Sequence, residues 1–113
     1  MVRPTRYYSN KQEKEVAKIV DGHRSSNSGA AKFSAGDVYT RDFLYECKTT
    51  TKSVKSYSIK KEVLEKLKKE SFELGKLFSV LVFNFGPDEE LYYVLNQRQF
   101  LKLLNAYTEI EQN

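Results

Sequence analysis

The stretch Gly36-Asp37-Val38-Tyr39-Thr40-Arg41-Asp42-Phe43-Leu44-Tyr45-Glu46-Cys47-Lys48-Thr49 decides how this chain reads. Val38, Tyr39 and Thr40 are strand formers, Arg41-Asp42 suits a tight turn, and Phe43 to Thr49 forms a second strand, so the spacing predicts a β-hairpin. Side chains alternate faces along a strand. Glu46 and Lys48 therefore project together, while Tyr45 and Cys47 point the other way. With the turn near Arg41-Asp42, Asp37 falls across from Glu46 and Lys48. Two carboxylates and one ammonium then share a half-buried sheet face, an expensive arrangement unless something uses it.

The flanking sequence supplies helices for both faces of that hairpin. Ser9 or Asn10 can cap a helix starting at Lys11, whose apolar stripe is Val16, Ala17, Ile19 and Val20, and Asp21-Gly22 ends it. Residues 1–10 read as a basic and aromatic arm, because Pro4 resists helix and no periodicity is sustained there. Arg24 to Ala31 is small, polar and loop-like. Beyond the hairpin, Thr50 to Lys55 is a polar loop and Tyr57-Ser58-Ile59 a short extended piece. A helix spans Lys60 to Leu74, closed by Gly75. Lys76 to Phe83 is a near-continuous apolar strand, the pattern of a strand covered on both faces. Gly86-Pro87-Asp88 turns the chain into a strand from Leu91 to Leu95, and a helix near Gln97 to Tyr107 follows. Tyr92, Tyr93, Phe100 and Tyr107 are assigned to the core or to a subunit interface. The expected architecture is α/β, a mixed central β-sheet flanked by helices, in one domain over residues 11–113 behind the arm.

Composition narrows the function classes. The chain has 113 residues, enough for a single core, and its 40% hydrophobic content argues against disorder. Its longest apolar run, Leu77 to Phe85, is strand-sized and far short of a bilayer span. The start lacks the apolar core of a secretory signal, so a cytoplasmic location is expected. One Cys and one His exclude a disulfide framework and argue against a Cys/His zinc site. The net charge of +4 suits a polyanion partner and is unevenly spread. Arg3, Arg6, Lys11, Arg24 and Lys32 load the first third, and Lys52, Lys55, Lys60 and Lys61 follow the hairpin. Arg24, Ser25, Ser28, Gly29 and Lys32 form a donor-rich loop of the kind that contacts phosphates, and the arm mixes cations with Tyr7 and Tyr8. DNA-binding roles are accordingly assigned to Arg3, Arg6, Lys11, Arg24, Ser25, Ser28, Lys32, Lys52 and Lys55. His23 is read as a surface residue.

Side-by-side carboxylates suit a hard divalent cation, Mg²⁺ above all, which takes few protein ligands and keeps several waters. The chemistry that follows is phosphodiester hydrolysis, with Lys48 orienting the attacking water or offsetting charge in the transition state. Gly36-Asp37-Val38 followed by Tyr45-Glu46-Cys47-Lys48 resembles the PD-(D/E)xK nuclease motif, with Ala35-Gly36 where many members carry proline or another small residue. From Lys11 to Phe83 the arrangement is similar to the archaeal-type Holliday junction resolvases and their phage relatives. These have a helix bearing a Glu near its start (here Glu13), a Ser-Gly loop (Ser28-Gly29), the Asp hairpin with Glu-x-Lys, then a helix and an apolar strand.

The resemblance implies a restriction-endonuclease-like core of αβββαβ type. It implies Mg²⁺, or Mn²⁺, held by Glu13, Asp37 and Glu46, with Lys48 completing the catalytic set. Glu13 shares the inward stripe of its helix with Val16, Ala17 and Val20, whereas Glu15, the other candidate third carboxylate, lies off it. It further implies a homodimer that resolves four-way DNA junctions by paired nicks, in recombination and repair, in the cytoplasm of a host cell if phage-encoded. Two other readings stay open. One is a nicking, flap or restriction-like nuclease on the same fold. The other is a non-catalytic DNA-binding module whose acidic cluster is a surface salt-bridge patch.

Overall fold

A computed structural model describes residues 3–25 and 36–112 of the chain. The hairpin is formed by β2 (Val38–Tyr39) and β3 (Phe43–Lys48), antiparallel, with Val38 opposite Tyr45 and Tyr39 opposite Leu44. Its turn is closed by the Thr40 amide donating to the Phe43 carbonyl over 2.9 Å, while Thr40 Oγ1 accepts from the Phe43 amide. The helix after it is α2 (Lys61–Glu73), followed by β4 (Phe78–Phe83), which lies parallel to β3 with Glu46 beside Leu81 and Lys48 beside Phe83. Gly75, at φ 70, supplies the left-handed residue that ends α2. β5 (Tyr92–Val94) returns antiparallel to β4, and α3 (Gln97–Gln112) follows.

The N-terminal helix, α1, covers Thr5–Val20, and β1 (His23–Arg24) pairs antiparallel with β2. Among the described residues the sheet is mixed, five-stranded and ordered β1-β2-β3-β4-β5. One face is closed by α1: Val16 packs with Val38, Tyr45, Cys47, Phe78, Val80 and Val82. The other face carries Leu44 and Leu81, both fully buried, beneath α2, whose Leu67 and Ser71 point inward. Each buried Leu or Val stabilises the fold by about 2 kcal/mol. Ser71 ties α2 to the sheet by donating from Oγ to the Phe78 carbonyl at 3.1 Å. Among the described residues the result is a single α/β domain with three helices.

Four expectations change. Thr5 to Asn10 are not an arm but the opening turns of α1, whose N-cap is Pro4 at φ −57, a proline standing outside the helix where it breaks no helical hydrogen bond. The left-handed residue ending α1 is Asp21 (φ 56) rather than Gly22. The small strand is His23–Arg24, of which Arg24 opens the stretch read from sequence as loop, while Tyr57-Ser58-Ile59 joins no strand. Last, Tyr92, Tyr93, Phe100 and Tyr107 are exposed, so only the core half of their core-or-interface assignment falls.

Gly36 is dictated by the hairpin's entry. It sits at φ 65, and a Cβ there would meet Leu44 at 2.8 Å and the Tyr45 carbonyl oxygen at 2.9 Å. Left-handed strain and overpacking add, so Gly36→Ala is expected to cost about 2–3 kcal/mol, read as a lower urea midpoint at unchanged slope. An unchanged midpoint would show that the entry to β2 relaxes freely.

Candidate active site

Strand β3 places the three central groups. Tyr45 and Cys47 face the Val16 cluster, which forces Glu46 and Lys48 onto the α2 side. Asp37, one residue before β2, is fixed through its backbone and its side chain. Its amide donates to the Tyr45 carbonyl over 2.8 Å, and its Oδ2 accepts from the Cys47 amide over 2.8 Å. That second bond caps the strand and brings the Asp37 carboxylate against Glu46, close enough for the two carboxyl groups to hydrogen-bond. Lys48 Nζ stands 3.6 Å from Glu46 Oε2.

The electrostatics follow from this crowding. Burial pushes the Glu46 carboxyl up to about 7, and the Asp37 charge and shared hydrogen bond add to it, against the pull of Lys48. Two neighbouring carboxylates of which one prefers to be protonated are an unsatisfied anion pair. Glu70, on α2, contributes further negative potential at Glu46. Burial, with the Asp37, Glu13 and Glu46 charges, keeps the Cys47 thiol protonated, so it is packing and not nucleophile.

Glu13 comes from α1 and is only 8% exposed, unlike its exposed neighbour Glu15. It feels Asp37, but its direct partner is Arg24: Nη2 donates to Glu13 Oε1 and to Asn10 Oδ1, each at 3.0 Å. Burial raises the Glu13 carboxyl above its ordinary value, and the Arg24 hydrogen bond opposes that rise. Arg24, read from sequence as a phosphate contact, is thus turned inward. Replacing it with Ala leaves Glu13 buried and unpaired, a loss of about 2 kcal/mol. Because Glu13 can take up a proton instead, the loss is expected to be larger at pH 8 than at pH 5; equal losses would mean that the ion pair contributes nothing.

The other DNA-binding candidates are placed as follows. Arg3 and Arg6 are exposed, with the Arg3 guanidinium 4.5 Å over the Tyr7 ring. Lys11 pairs with Asp88 at 2.9 Å and so ties α1 to the turn before β5. Ser25 donates its amide to the Asp37 carbonyl at 2.9 Å. Lys52 and Lys55 are exposed beyond β3. Ser28, Gly29 and Lys32 lie outside the described residues.

Two groups at the site were missed in the sequence. Gln12 is buried and donates from Nε2 to the Lys48 carbonyl at 2.7 Å, holding the end of β3 where Lys48 projects. Its place four residues before Val16 on the inward stripe was the available sign. Tyr57 lies within electrostatic reach of Lys48 and Glu46 and stacks on Phe83 at 4.9 Å. Nothing in its spacing announced that contact.

Among the described residues, no three His, Cys, Asp or Glu side chains converge as a ready metal cage. What converges is the Asp37–Glu46 pair. Its donor set of hard oxygens, with charge repulsion left to relieve, fits Mg²⁺, which needs only one or two carboxylates. No family model, curated protein or solved structure matches the chain. Among the described residues no helix is long and apolar enough to cross a membrane.

Proposed function

We propose that this chain is a divalent-metal-dependent DNA endonuclease with a restriction-endonuclease-like core, and that branched DNA, a four-way junction first of all, is its substrate. The observation that carries the reading is the Asp37–Glu46 carboxyl pair with Lys48 beside it. A purely structural role explains it poorly, because burying two like charges together lowers stability.

In this reading Asp37 and Glu46 would hold Mg²⁺, or Mn²⁺, whereas Glu13 comes from α1 on the other side of the sheet from Glu46 and is held by Arg24. Such a cation neutralises charge on the scissile phosphate and acidifies a bound water. The Cys47 amide and the Gln12 bond to the Lys48 carbonyl hold both ends of the Glu46–Lys48 segment, so that little reorganisation is needed. Lys48 is 40% exposed at its side chain, free to orient a water or to sit against a phosphate oxygen. The junction preference rests on the resemblance from Lys11 to Phe83. A junction has two strands to cut, which calls for two such sites.

The test is cleavage of a labelled four-way junction, a plain duplex and a flap, each with Mg²⁺ and with EDTA. Paired metal-dependent cuts in the junction alone support the full reading. Equal cutting of all three would retain the nuclease and remove the junction preference. Binding without cutting in any metal would assign the chain to the non-catalytic class.

A further inference from the structure

The last helix is built for a partner that the rest of the chain does not supply. α3 is anchored at its root, where Gln99 is buried and its Oε1 accepts from the Ser79 amide at 2.6 Å. Past that point its large apolar side chains face outward: Phe100, Leu101, Leu103, Leu104, Tyr107 and Ile110 are between 39% and 71% exposed. Phe100, Leu103, Tyr107 and Ile110 follow a three-four-three spacing, the seam of a helix that packs on another helix. At 100° per residue, Arg98, Lys102 and Glu109 fall on the opposite side, so the helix is amphipathic with its apolar face unused. A helix of 16 residues with so little packing is marginal in water.

We propose that this face docks against α3 of a second copy of the chain. The inference deepens the reading above, since it names the surface that brings two sites together, but its evidence is the helix and not the carboxyl pair. Taking about 200 Å² for each large apolar side chain, the five on this side (Phe100, Leu103, Leu104, Tyr107 and Ile110; Leu101 points to the other) expose roughly 500 Å² per chain and ~1,000 Å² in a pair, the area a specific interface has to clear. Phe72 and Leu77, 84% and 54% exposed, line a pocket with Asn96, Arg98 and Gln99 at the root of α3.

Charge does not point elsewhere: the basic Arg98 and Lys102 and the acidic Glu109 and Glu111 cancel along α3. The helix has no basic excess to attract DNA, nor the Lys/Arg-rich polar face of a helix that lies on a membrane.

Sedimentation velocity in the micromolar range tests this on the intact chain. The wild type should sediment at twice its 13.2 kDa mass. Leu103→Glu and Ile110→Glu should each halve that mass, while Lys102→Glu, on the opposite side, should not. Both apolar positions are exposed in the single chain, so the variants retain the core, checked by near-UV circular dichroism. A monomeric wild type, or a dimer indifferent to both apolar variants, overturns the proposal. A monomer that still cuts junctions would overturn it while leaving the nuclease reading intact; a dimer inert on every substrate would do the reverse.

Discussion

Asp37→Asn and Glu46→Gln are each expected to lower cleavage by at least about a thousandfold, a loss of the order of 4 kcal/mol in transition-state stabilisation. Both changes are nearly isosteric. Asn at 37 can still accept from the Cys47 amide, so the β3 cap survives. Gln at 46 can still hydrogen-bond to Asp37 and keeps the volume beneath α2. What each variant removes is a negative charge at the proposed cation position. Junction binding, measured by gel shift in Ca²⁺ or EDTA, should stay within a few fold of wild type, because the exposed cations Arg3, Arg6, Lys52 and Lys55 are untouched. Full cleavage by either variant would remove the carboxyl pair from the mechanism. Loss of binding together with cleavage would mean that the substitutions had damaged the fold.

The second large effect is on stability and has a definite sign. Glu46 titrates at about 7 in the fold against an ordinary 4.5. Between those values the folded chain keeps a proton that the unfolded chain releases, so stability falls as pH rises through this window. Above pH 7 the penalty is fully present, of the order of 3 kcal/mol for the coupled pair. In the absence of metal, Glu46→Gln should therefore melt higher than wild type at pH 8, by roughly 10 °C, and the two should converge near pH 5. Mg²⁺ at pH 8 should raise the wild-type melting temperature and leave Glu46→Gln unmoved, since only a ligand that binds the folded state stabilises it. A Glu46→Gln variant less stable than wild type at pH 8 would show that the pair is a structural ion cluster rather than an anionic site awaiting a cation.

The hairpin and the strands were legible because their information is local. Val38-Tyr39-Thr40, the Arg41-Asp42 turn and the run from Phe78 to Phe83 each state their conformation within a few residues, and period-two alternation then fixes which side Glu46 takes. Glu13 was legible for the same reason, through the helical period it shares with Val16 and Val20. The illegible features depend on distant partners. His23–Arg24 becomes a strand only because Val38 and Tyr39 lie beside it, and two residues carry no periodicity. Arg24 looked like a free cation until the fold set it against Glu13. The stripe on α3 was visible, but a sequence cannot distinguish an apolar face that meets the chain's own core from one that meets another copy.

The most direct measurement is the binding of Mn²⁺, by electron paramagnetic resonance of the free ion, to wild type and to Glu46→Gln at pH 8. The account requires one saturable Mn²⁺ site on wild type, displaced by Mg²⁺ and abolished by the substitution. No saturable site on wild type, or a site that survives Glu46→Gln unchanged, would contradict the claim that Asp37 and Glu46 hold the catalytic cation.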